Sequence, residues 1–247
     1  MSYLLFHVLL IVPPILLLWA TLPTSLGDLG GRRAQVAIPL IAFVALSYTT
    51  AWDNYLVSRE VWWYGTGRVV GTIGAVPVEE YLFFILQPVL TGLFLFQYLA
   101  RYAEPSKAGR SLHAWAGFLV FLGLAAVGTG LLYSGADEGL YMGLILCWAC
   151  PLLAGMWLYD GETLWGYRHT LLYAVGLPTL YLWGADATAI AEGIWTISPA
   201  YTLGVKLINL PLEEATFFLV TNLLVVQGIL LLMYGSHEAL QSTKSRG

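Results

Sequence analysis

The sequence has little charge: only 11% of its 247 residues are Asp, Glu, Lys or Arg, whereas 58% are hydrophobic. A soluble globular domain has about 25% charged residues. With a mean hydropathy of +0.73, the chain is predicted to be a multi-pass membrane protein. Its net charge of −4 says little about partners, because the position of each charge relative to the membrane matters more than the sum. The chain has no basic tract that would predict a nucleic-acid partner.

Signatures of cofactors and metals are also absent. Cys147 and Cys150 lie inside an apolar run and are interpreted as packing thiols rather than as a zinc or redox pair. No glycine-rich fingerprint follows a strand-like segment, so nothing supports a bound flavin or nicotinamide. The four histidines are scattered singly, which argues against the iron site of a membrane oxygenase: His7, His113, His169 and His237. We therefore predict that the protein uses no cofactor and no metal.

Seven apolar runs are long enough to approach or cross a hydrocarbon core about 30 Å thick. They cover residues 3–22, 34–52, 77–99, 112–133, 139–159, 168–185 and 207–234. Prolines predict kinks in the first, fifth and sixth runs, at Pro13 with Pro14, at Pro151 and at Pro178. The intervening segments 53–76 and 186–206 are rich in Gly, Trp and Tyr and are predicted to lie along the membrane surface. The predicted fold is an all-α, polytopic membrane protein of about seven transmembrane helices.

A motif of one proline, two glutamates and two phenylalanines occurs twice. It reads PVEEYLFF at residues 77–84 and PLEEATFF at residues 211–218. Proline is favoured at the first position of a helix, so each copy is predicted to begin a helix at Pro77 or Pro211. Four carboxyl groups then lie in two first helical turns: Glu79, Glu80, Glu213 and Glu214.

Other spacings repeat with the motif. Asp53 lies nine residues before Trp62, and Asp186 lies nine residues before Trp195. Pro13 and Pro151 are each followed six residues later by a tryptophan. We predict two parallel three-helix halves, 1–99 and 139–234, joined by a linker helix within 100–138 and followed by a tail, 235–247. Parallel repeats of this kind usually build one site between them.

The basic residues are distributed unequally between the two sides of the membrane that seven helices define. One side has eight of them: Arg32, Arg33, Arg101, Lys107, Arg110, Arg168, Lys244 and Arg246. The other side has three: Arg59, Arg68 and Lys206. By the positive-inside rule the first side is cytoplasmic, which leaves the N-terminus outside and the C-terminus inside. Both glutamate pairs are then expected in the outer half of the membrane.

Each glutamate of the motif has a phenylalanine four residues later, on the same helix face. The pairs are Glu79 with Phe83, Glu80 with Phe84, Glu213 with Phe217, and Glu214 with Phe218. A carboxyl group beside aromatic rings can deliver a proton, and the rings then stabilise the resulting cation. Adjacent residues of a helix point about 100° apart, so at most one glutamate of each pair is expected to face a shared cavity. Asp53 and Asp186 are interpreted either as helix caps or as further acids.

The repeated motif, the size and the helix plan make the sequence resemble the small integral-membrane lycopene cyclases. These are the heterodimeric bacterial carotenoid cyclases, their fused single-chain relatives and the cyclase half of fungal bifunctional enzymes. The resemblance implies acid-catalysed conversion of lycopene to a cyclic carotene, with no flavin and no net redox change. It also implies contact with membrane lipid and association with other carotenoid enzymes.

Carried over to this sequence, the family's acidic motif falls on Pro77, Glu79, Glu80 and Phe83, and again on Pro211, Glu213, Glu214 and Phe217. Together with the glutamate–phenylalanine pairs and the repeated spacings, it gives three groups of candidate site residues. The catalytic candidates are Glu79, Glu80, Glu213 and Glu214. The substrate-binding candidates are Phe83, Phe84, Phe217, Phe218, Trp62 and Trp195. The supporting candidates are Asp53, Asp186, Pro77 and Pro211. Because both motifs are expected on one side of the membrane, we predict a single composite site rather than one site for each end of the substrate.

Two alternative functions remain open, and a third is disfavoured. A related cyclase that makes ε- or γ-rings, or that acts on fifty-carbon carotenoids, fits the same motif. A pigment-binding or transport protein would use the acids as gating or ion-pathway residues. A microbial rhodopsin is disfavoured, because that class needs a lysine in the middle of the last helix and Lys206 precedes Pro211.

Overall fold

The computed structural model describes residues 1–102 and 112–235, and within these ranges the chain forms a bundle of seven long helices. They are α1 (Tyr3–Ala20), α2 (Leu26–Ser58), α3 (Val78–Tyr102), α4 (Leu112–Tyr133), α5 (Leu140–Gly166), α6 (Arg168–Ala191) and α7 (Leu212–Tyr234). All but α6 are both long and apolar enough to cross a membrane; α6 is long enough but less apolar. The prediction of an all-α, multi-pass membrane protein is confirmed. The predicted tail, apart from Gly235, lies outside the described residues.

The helices differ in how deeply they lie inside the bundle. In the most apolar 18-residue stretch of α3, 67% of the residues are buried, whereas the figure for α4 is 6%. α4 packs against α5, and a Cβ atom at Gly128 of α4 would lie only 2.6 Å from Cβ of Leu146. Small residues allow such close approach between membrane helices. α4 is therefore a peripheral helix, and α3 and α7 are central.

Three short two-stranded sheets lie at the end of the bundle where α3 and α7 begin. β1 (Trp62–Tyr64) pairs antiparallel with β4 (Trp195–Ile197), so that Tyr64 lies opposite Trp195. β2 (Thr72–Ile73) and β3 (Val76–Pro77) form a hairpin that leads directly into α3. β5 (Lys206–Leu207) and β6 (Leu210–Pro211) form the corresponding hairpin before α7. The sequence did not predict these strands. β1, β2 and β4 fall in the segments assigned to the membrane surface, β3 and β5 cross the ends of those segments, and β6 lies in the last apolar run.

The ends of several helices differ from the prediction. Pro77 and Pro211 are the last residues of β3 and β6, so the helices begin one residue later than predicted. Asp53 lies inside α2, which continues to Ser58, and Asp186 lies inside α6, which continues to Ala191. Of the two interpretations of these aspartates, the one as helix caps is therefore wrong, and the one as further acids stays a prediction. Helices extend beyond the apolar runs because buried polar residues are tolerated where a helix faces other protein.

Irregular turns coincide only partly with the prolines. In α1, residues His7–Ile11 form a π-helical turn just before Pro13 and Pro14, as expected where a helix must accommodate missing N–H donors. In α5 the residue with non-helical dihedral angles is Asp160, not Pro151. α6 continues through Pro178 as one helix. α2 has an additional break at Gly30 and Gly31, where Gly31 has a φ of 59°.

Candidate active site

A cavity of about 40 Å³ lies at the end of the bundle where α3 and α7 begin and α2 and α6 end. Four carboxyl groups line it: Asp53, Glu80, Asp186 and Glu214. Ten aromatic residues form most of its wall: Tyr3, Phe6, Trp52, Trp62, Tyr64, Phe83, Tyr141, Trp195, Phe217 and Phe218. The pairing of β1 with β4 joins two of the segments that carry these rings.

The two glutamates of each motif have different surroundings. Glu80 and Glu214 line the cavity, whereas Glu79 and Glu213 do not. Oε1 of Glu79 accepts a hydrogen bond of 2.8 Å from the backbone N–H of Val70, and Oε1 of Glu213 accepts one of 2.7 Å from that of Leu203. Val70 and Leu203 lie just before β2 and β5. The first glutamate of each pair therefore holds a loop, and the second faces the cavity.

Tyrosine hydroxyl groups are the hydrogen-bond partners of the two glutamates in the cavity. Oε2 of Glu80 accepts bonds of 2.8 Å from the Tyr3 hydroxyl and 2.9 Å from the Tyr64 hydroxyl. The indole N–H of Trp62 donates in turn to the Tyr64 oxygen over 3.0 Å. Oε1 of Glu214 accepts a bond of 2.7 Å from the Tyr141 hydroxyl. These bonds fix the orientation of both carboxyl groups.

Tyr64 lies in β1, outside the membrane-spanning helices, and is a fixed donor at ordinary pH. Burial, followed by the charge of Glu80, raises the pKa of Tyr64 well above its ordinary value of 10.0. Its hydroxyl group therefore keeps its proton, which it donates to Glu80 in a hydrogen bond.

His7 lies in the π-helical turn of α1 and packs against Tyr3. Its ring stacks on Tyr3 with a centroid separation of 4.8 Å and lies 6.0 Å from the ring of Phe83. The side chain is 1% exposed, and neither ring nitrogen has a hydrogen-bond partner among the described residues. The π turn thus positions a ring that supports Tyr3.

The two aspartates add buried oxygen atoms to the cavity. Asp53 is 2% exposed and Asp186 is 1% exposed, and Oδ2 of each has no hydrogen-bond partner among the described residues. Oδ1 of Asp186 accepts a bond of 2.9 Å from the indole N–H of Trp195. No basic side chain is present among the residues that line this cavity. Four carboxyl groups held together without a cation are suited to holding and passing a proton.

Aromatic faces surround these carboxyl groups. The ring of Phe217 lies parallel to that of Trp52, with 5.7 Å between the centroids and 4° between the planes. Phe83 and Phe218 meet edge to face at 6.0 Å. Such rings present negative faces that stabilise a positive charge where water is excluded. In the described part of the chain, no group of three or more His, Cys, Asp or Glu side chains is arranged to hold a metal ion.

The structure brings together nine of the fourteen residues that the sequence singled out. They are Asp53, Trp62, Glu80, Phe83, Asp186, Trp195, Glu214, Phe217 and Phe218. Phe84 lines a neighbouring cavity instead, whereas Phe83 lines the same cavity as Glu80. Pro77 and Pro211 end strands that precede the helices. Glu79 and Glu213 bind loop backbone.

Sequence reasoning missed the tyrosines that contact the glutamates. A signal for two of them was present, because Tyr3 lies ten residues before Pro13 and Tyr141 lies ten residues before Pro151. These prolines belong to the repeated spacings, so the tyrosines occupy equivalent positions. Tyr64 has no such signal, because Ile197 lies two residues after Trp195 where Tyr64 lies two residues after Trp62.

Comparison with known proteins gives consistent matches. A family model described as "Lycopene cyclase" matches residues 1–99 and 139–232. A "Lycopene beta-cyclase" of Halobacterium salinarum is 41% identical over 233 residues, which cover 93% of this chain and 95% of the relative. A "Bifunctional lycopene cyclase/phytoene synthase" of Arthroderma gypseum is 34% identical over 248 residues, which cover 93% of this chain and 41% of that longer protein. No solved structure matches the chain.

Proposed function

The chain belongs to the lycopene cyclase family, and we propose that it is a lycopene β-cyclase. It converts the acyclic end groups of lycopene to β-rings, giving γ-carotene and then β-carotene, with no net redox change. The observation that carries this proposal is the aromatic-lined cavity that contains Glu80, Glu214, Asp53 and Asp186. Acid-catalysed ring closure needs a proton donor, a proton acceptor and walls that tolerate a carbocation.

The reaction consists of one proton added, one carbon–carbon bond formed and one proton removed. A protonated carboxyl group adds H⁺ to carbon 2 of the terminal alkene, which leaves a tertiary cation at carbon 1. The double bond between carbons 5 and 6 attacks it, so that carbon 6 bonds to carbon 1 and the charge moves to carbon 5. A carboxylate then removes the proton of carbon 6, and the ring double bond forms. The product is an isomer of the substrate.

Glu80 and Glu214 are the proposed acid and base. Both carboxyl groups line the cavity, and tyrosine hydroxyls orient both of them. Two carboxyl groups in different surroundings can divide the two proton transfers between them. Asp53 and Asp186 supply further negative charge and proton-holding capacity. Trp52, Phe83 and Phe217 are among the rings proposed to stabilise the travelling cation.

One composite site is proposed to make both rings. The segments 1–99 and 139–234 are proposed as repeated halves joined through 100–138, and each contributes one glutamate and one aspartate to the same cavity. The first segment also contributes two orienting tyrosines, and the second contributes one. The two ends of lycopene are therefore cyclised one after the other. The carotenoid leaves after the first ring and rebinds end for end.

Expression in bacteria that accumulate lycopene tests the proposed function directly. We expect the pigment to change from lycopene to γ-carotene and β-carotene, identified by chromatography and absorption spectra. Formation of ε-rings would move the assignment to a cyclase of different regiochemistry. Unchanged lycopene in cells that contain the membrane-inserted protein would favour a pigment-binding or transport role, and would contradict the proposal.

We also propose that the N-terminus lies outside and the C-terminus lies in the cytoplasm. Arg33 and Arg101 lie near one end of the bundle. Arg33 donates to the carbonyl oxygen of Met233 over 3.5 Å, and Arg101 donates to the carbonyl oxygen of Thr21 over 3.1 Å. At the other end, Arg68 donates to the carbonyl oxygen of Met1 over 2.9 Å. The end that contains Arg33 and Arg101 belongs to the side richer in basic residues, which the positive-inside rule makes cytoplasmic.

Reporter fusions test this orientation. A reporter inserted at Lys107 and a second one at the C-terminus should both report a cytoplasmic location, whereas a reporter in the β5–β6 hairpin should report the outside. Lys107 and the C-terminal residues after Gly235 lie outside the described residues. Opposite locations for Lys107 and the C-terminus would contradict the seven-helix topology.

A further inference from the structure

The cavity that contains Asp53, Glu80, Asp186 and Glu214 is named the acidic cavity. A second cavity, of about 100 Å³, lies beside it and deeper in the bundle. It is a groove between α2 and α5, with α3 and α7 as its floor. α2 contributes Val44, Ala45 and Tyr48, and α5 contributes Trp148 and Leu152. We call it the apolar groove. None of the lining residues carries a charge.

Two polar side chains of the apolar groove already form hydrogen bonds within the protein. The amide N–H of Gln87 donates to Oδ1 of Asn222 over 2.5 Å. The hydroxyl group of Thr221 donates to the carbonyl oxygen of Phe217 over 2.8 Å. Most of the remaining wall is aliphatic or aromatic. Such a surface binds hydrocarbon and offers little to a polar ligand.

The apolar groove and the acidic cavity share two residues of their walls. Phe83 and Phe217 line both. Along α7 the groove continues from Phe217 to Val225, which is eleven residues beyond Glu214. At 1.5 Å for each helical residue this is about 16 Å. The two cavities therefore lie side by side, and the apolar lining continues from the wall beside the carboxyl groups toward the middle of the membrane.

A stack of aromatic rings follows the same path. Tyr48 stacks on Trp148 with 5.3 Å between centroids, and Trp148 stacks on Trp52 with 5.1 Å. Trp52 stacks in turn on Phe217, which lies between the groove and the acidic cavity. Planar conjugated chains pack well on parallel aromatic faces. The stack thus links the outer surface of the bundle to the carboxyl groups.

The apolar groove opens toward the surroundings of the bundle. Tyr48 is 42% exposed and Leu152 is 41% exposed, one on each side of the groove. Both belong to helices that are apolar enough to cross a membrane. Their exposed surfaces therefore face lipid, and a ligand dissolved in the bilayer reaches the groove sideways without crossing water.

We propose that the apolar groove binds the conjugated chain of a linear carotenoid while one end group occupies the acidic cavity. This inference rests on the proposed function and assigns the part of the substrate that the carboxyl groups do not contact. The carotenoid is about as long as the hydrocarbon core is thick, about 30 Å. The acidic cavity and the groove together extend about 16 Å along α7, about half of that length, and the far end of the carotenoid stays in the bilayer.

The proposal is tested by filling the groove. Ala45→Phe places a ring in the groove, and Ala51→Phe is the matched control, because Ala51 lies on the same helix, is exposed and lines neither cavity. Lycopene is achiral, so its visible band shows circular dichroism only when the carotenoid is held in a chiral site. We measure this signal in a Glu80→Gln background, and turnover of lycopene in the otherwise wild-type protein.

We expect Ala45→Phe to weaken the dichroic titration and to lower kcat/KM for lycopene by about tenfold, because the added ring fills space that the carotenoid chain would occupy. A tenfold change corresponds to about 1.4 kcal/mol, which lies within the range that overpacking costs. Ala51→Phe should change both quantities less than about twofold. An Ala45→Phe protein that binds and cyclises lycopene like the control overturns the proposal. If that variant does not fold, as judged by size-exclusion chromatography, Leu152→Trp at the opposite rim gives the same test.

The two proposals fail in different ways. If wild-type protein makes no ring but the dichroic signal is present and is lost in Ala45→Phe, the proposed function is wrong and the groove is still a carotenoid site. If wild-type protein makes β-carotene and Ala45→Phe changes nothing, the proposed function stands and the groove assignment is wrong.

Discussion

Glu80→Gln and Glu214→Gln are each expected to lower the rate of ring formation by about 100- to 10,000-fold, the range for loss of a general acid or base. Glutamine has nearly the shape of glutamate and still accepts hydrogen bonds from Tyr3 or Tyr141, but its amide neither donates nor removes a proton in this reaction. Because both glutamates line one cavity, each variant should lose both rings. Assays with lycopene in reconstituted membranes, with γ-carotene and β-carotene quantified separately, measure this.

Glu79→Gln and Glu213→Gln are the matched controls. These residues are adjacent to the proposed acids and belong to the same motif, but their Oε1 atoms accept backbone hydrogen bonds from Val70 and Leu203. A glutamine oxygen can accept the same bonds, so we expect most of the activity to remain. Near-normal yield of γ-carotene from Glu80→Gln or Glu214→Gln would contradict a single shared site. Loss of activity only in the controls would reverse the assignment within each pair.

In D₂O, every β-ring is expected to gain one deuterium at carbon 2, so that β-carotene becomes heavier by two mass units. The reason is that the proton added to carbon 2 comes from a carboxyl group that exchanges with solvent. The hydrogen lost from carbon 6 comes from the substrate. Mass spectrometry of the carotenoids gives the number of deuterium atoms, and NMR locates them at carbon 2 of each ring.

The label also separates the proposed mechanism from its rivals. Lycopene recovered from the same incubation should stay unlabelled, and a protein that only binds the pigment makes no carbon–hydrogen bond. γ-Carotene should contain one deuterium, in agreement with one proton for each ring. Unlabelled β-carotene, obtained after complete exchange of the enzyme, would rule out proton transfer from a carboxyl group.

The sequence by itself was sufficient to identify a multi-pass membrane protein and most of the cavity. The scarcity of charge and the length of the apolar runs indicate that most of the chain lies in lipid. Both features are visible in short stretches of sequence and need no knowledge of tertiary contacts. Motif repetition identified four candidate glutamates, with Glu80 and Glu214 among them, and the spacing to Trp62 and Trp195 pointed to Asp53 and Asp186 as either helix caps or further acids. The family resemblance, which the comparisons confirm, depends on the same motifs.

The choice between adjacent glutamates was made only by the tertiary structure. Neighbouring residues of a helix point about 100° apart, so a shift of one residue in the helix start changes which side chain faces inward. The hairpins β2–β3 and β5–β6 set that start at Val78 and Leu212 rather than at the prolines. Glu79 and Glu213 accept backbone hydrogen bonds from the loops just before these hairpins, so their contacts depend on the same hairpins.

The partners of the carboxyl groups were likewise a tertiary result. Tyr3 contacts Glu80 across 77 positions in the chain, and Tyr141 contacts Glu214 across 73. The pairing of β1 with β4 joins residues more than 130 positions apart, and it places Tyr64 and Trp195 opposite each other. Periodicity and propensity describe neighbours along the chain, whereas these contacts depend on how helices pack. The sequence determined which acids are present, and the packing decided which of them share a cavity and which hydroxyl groups hold them.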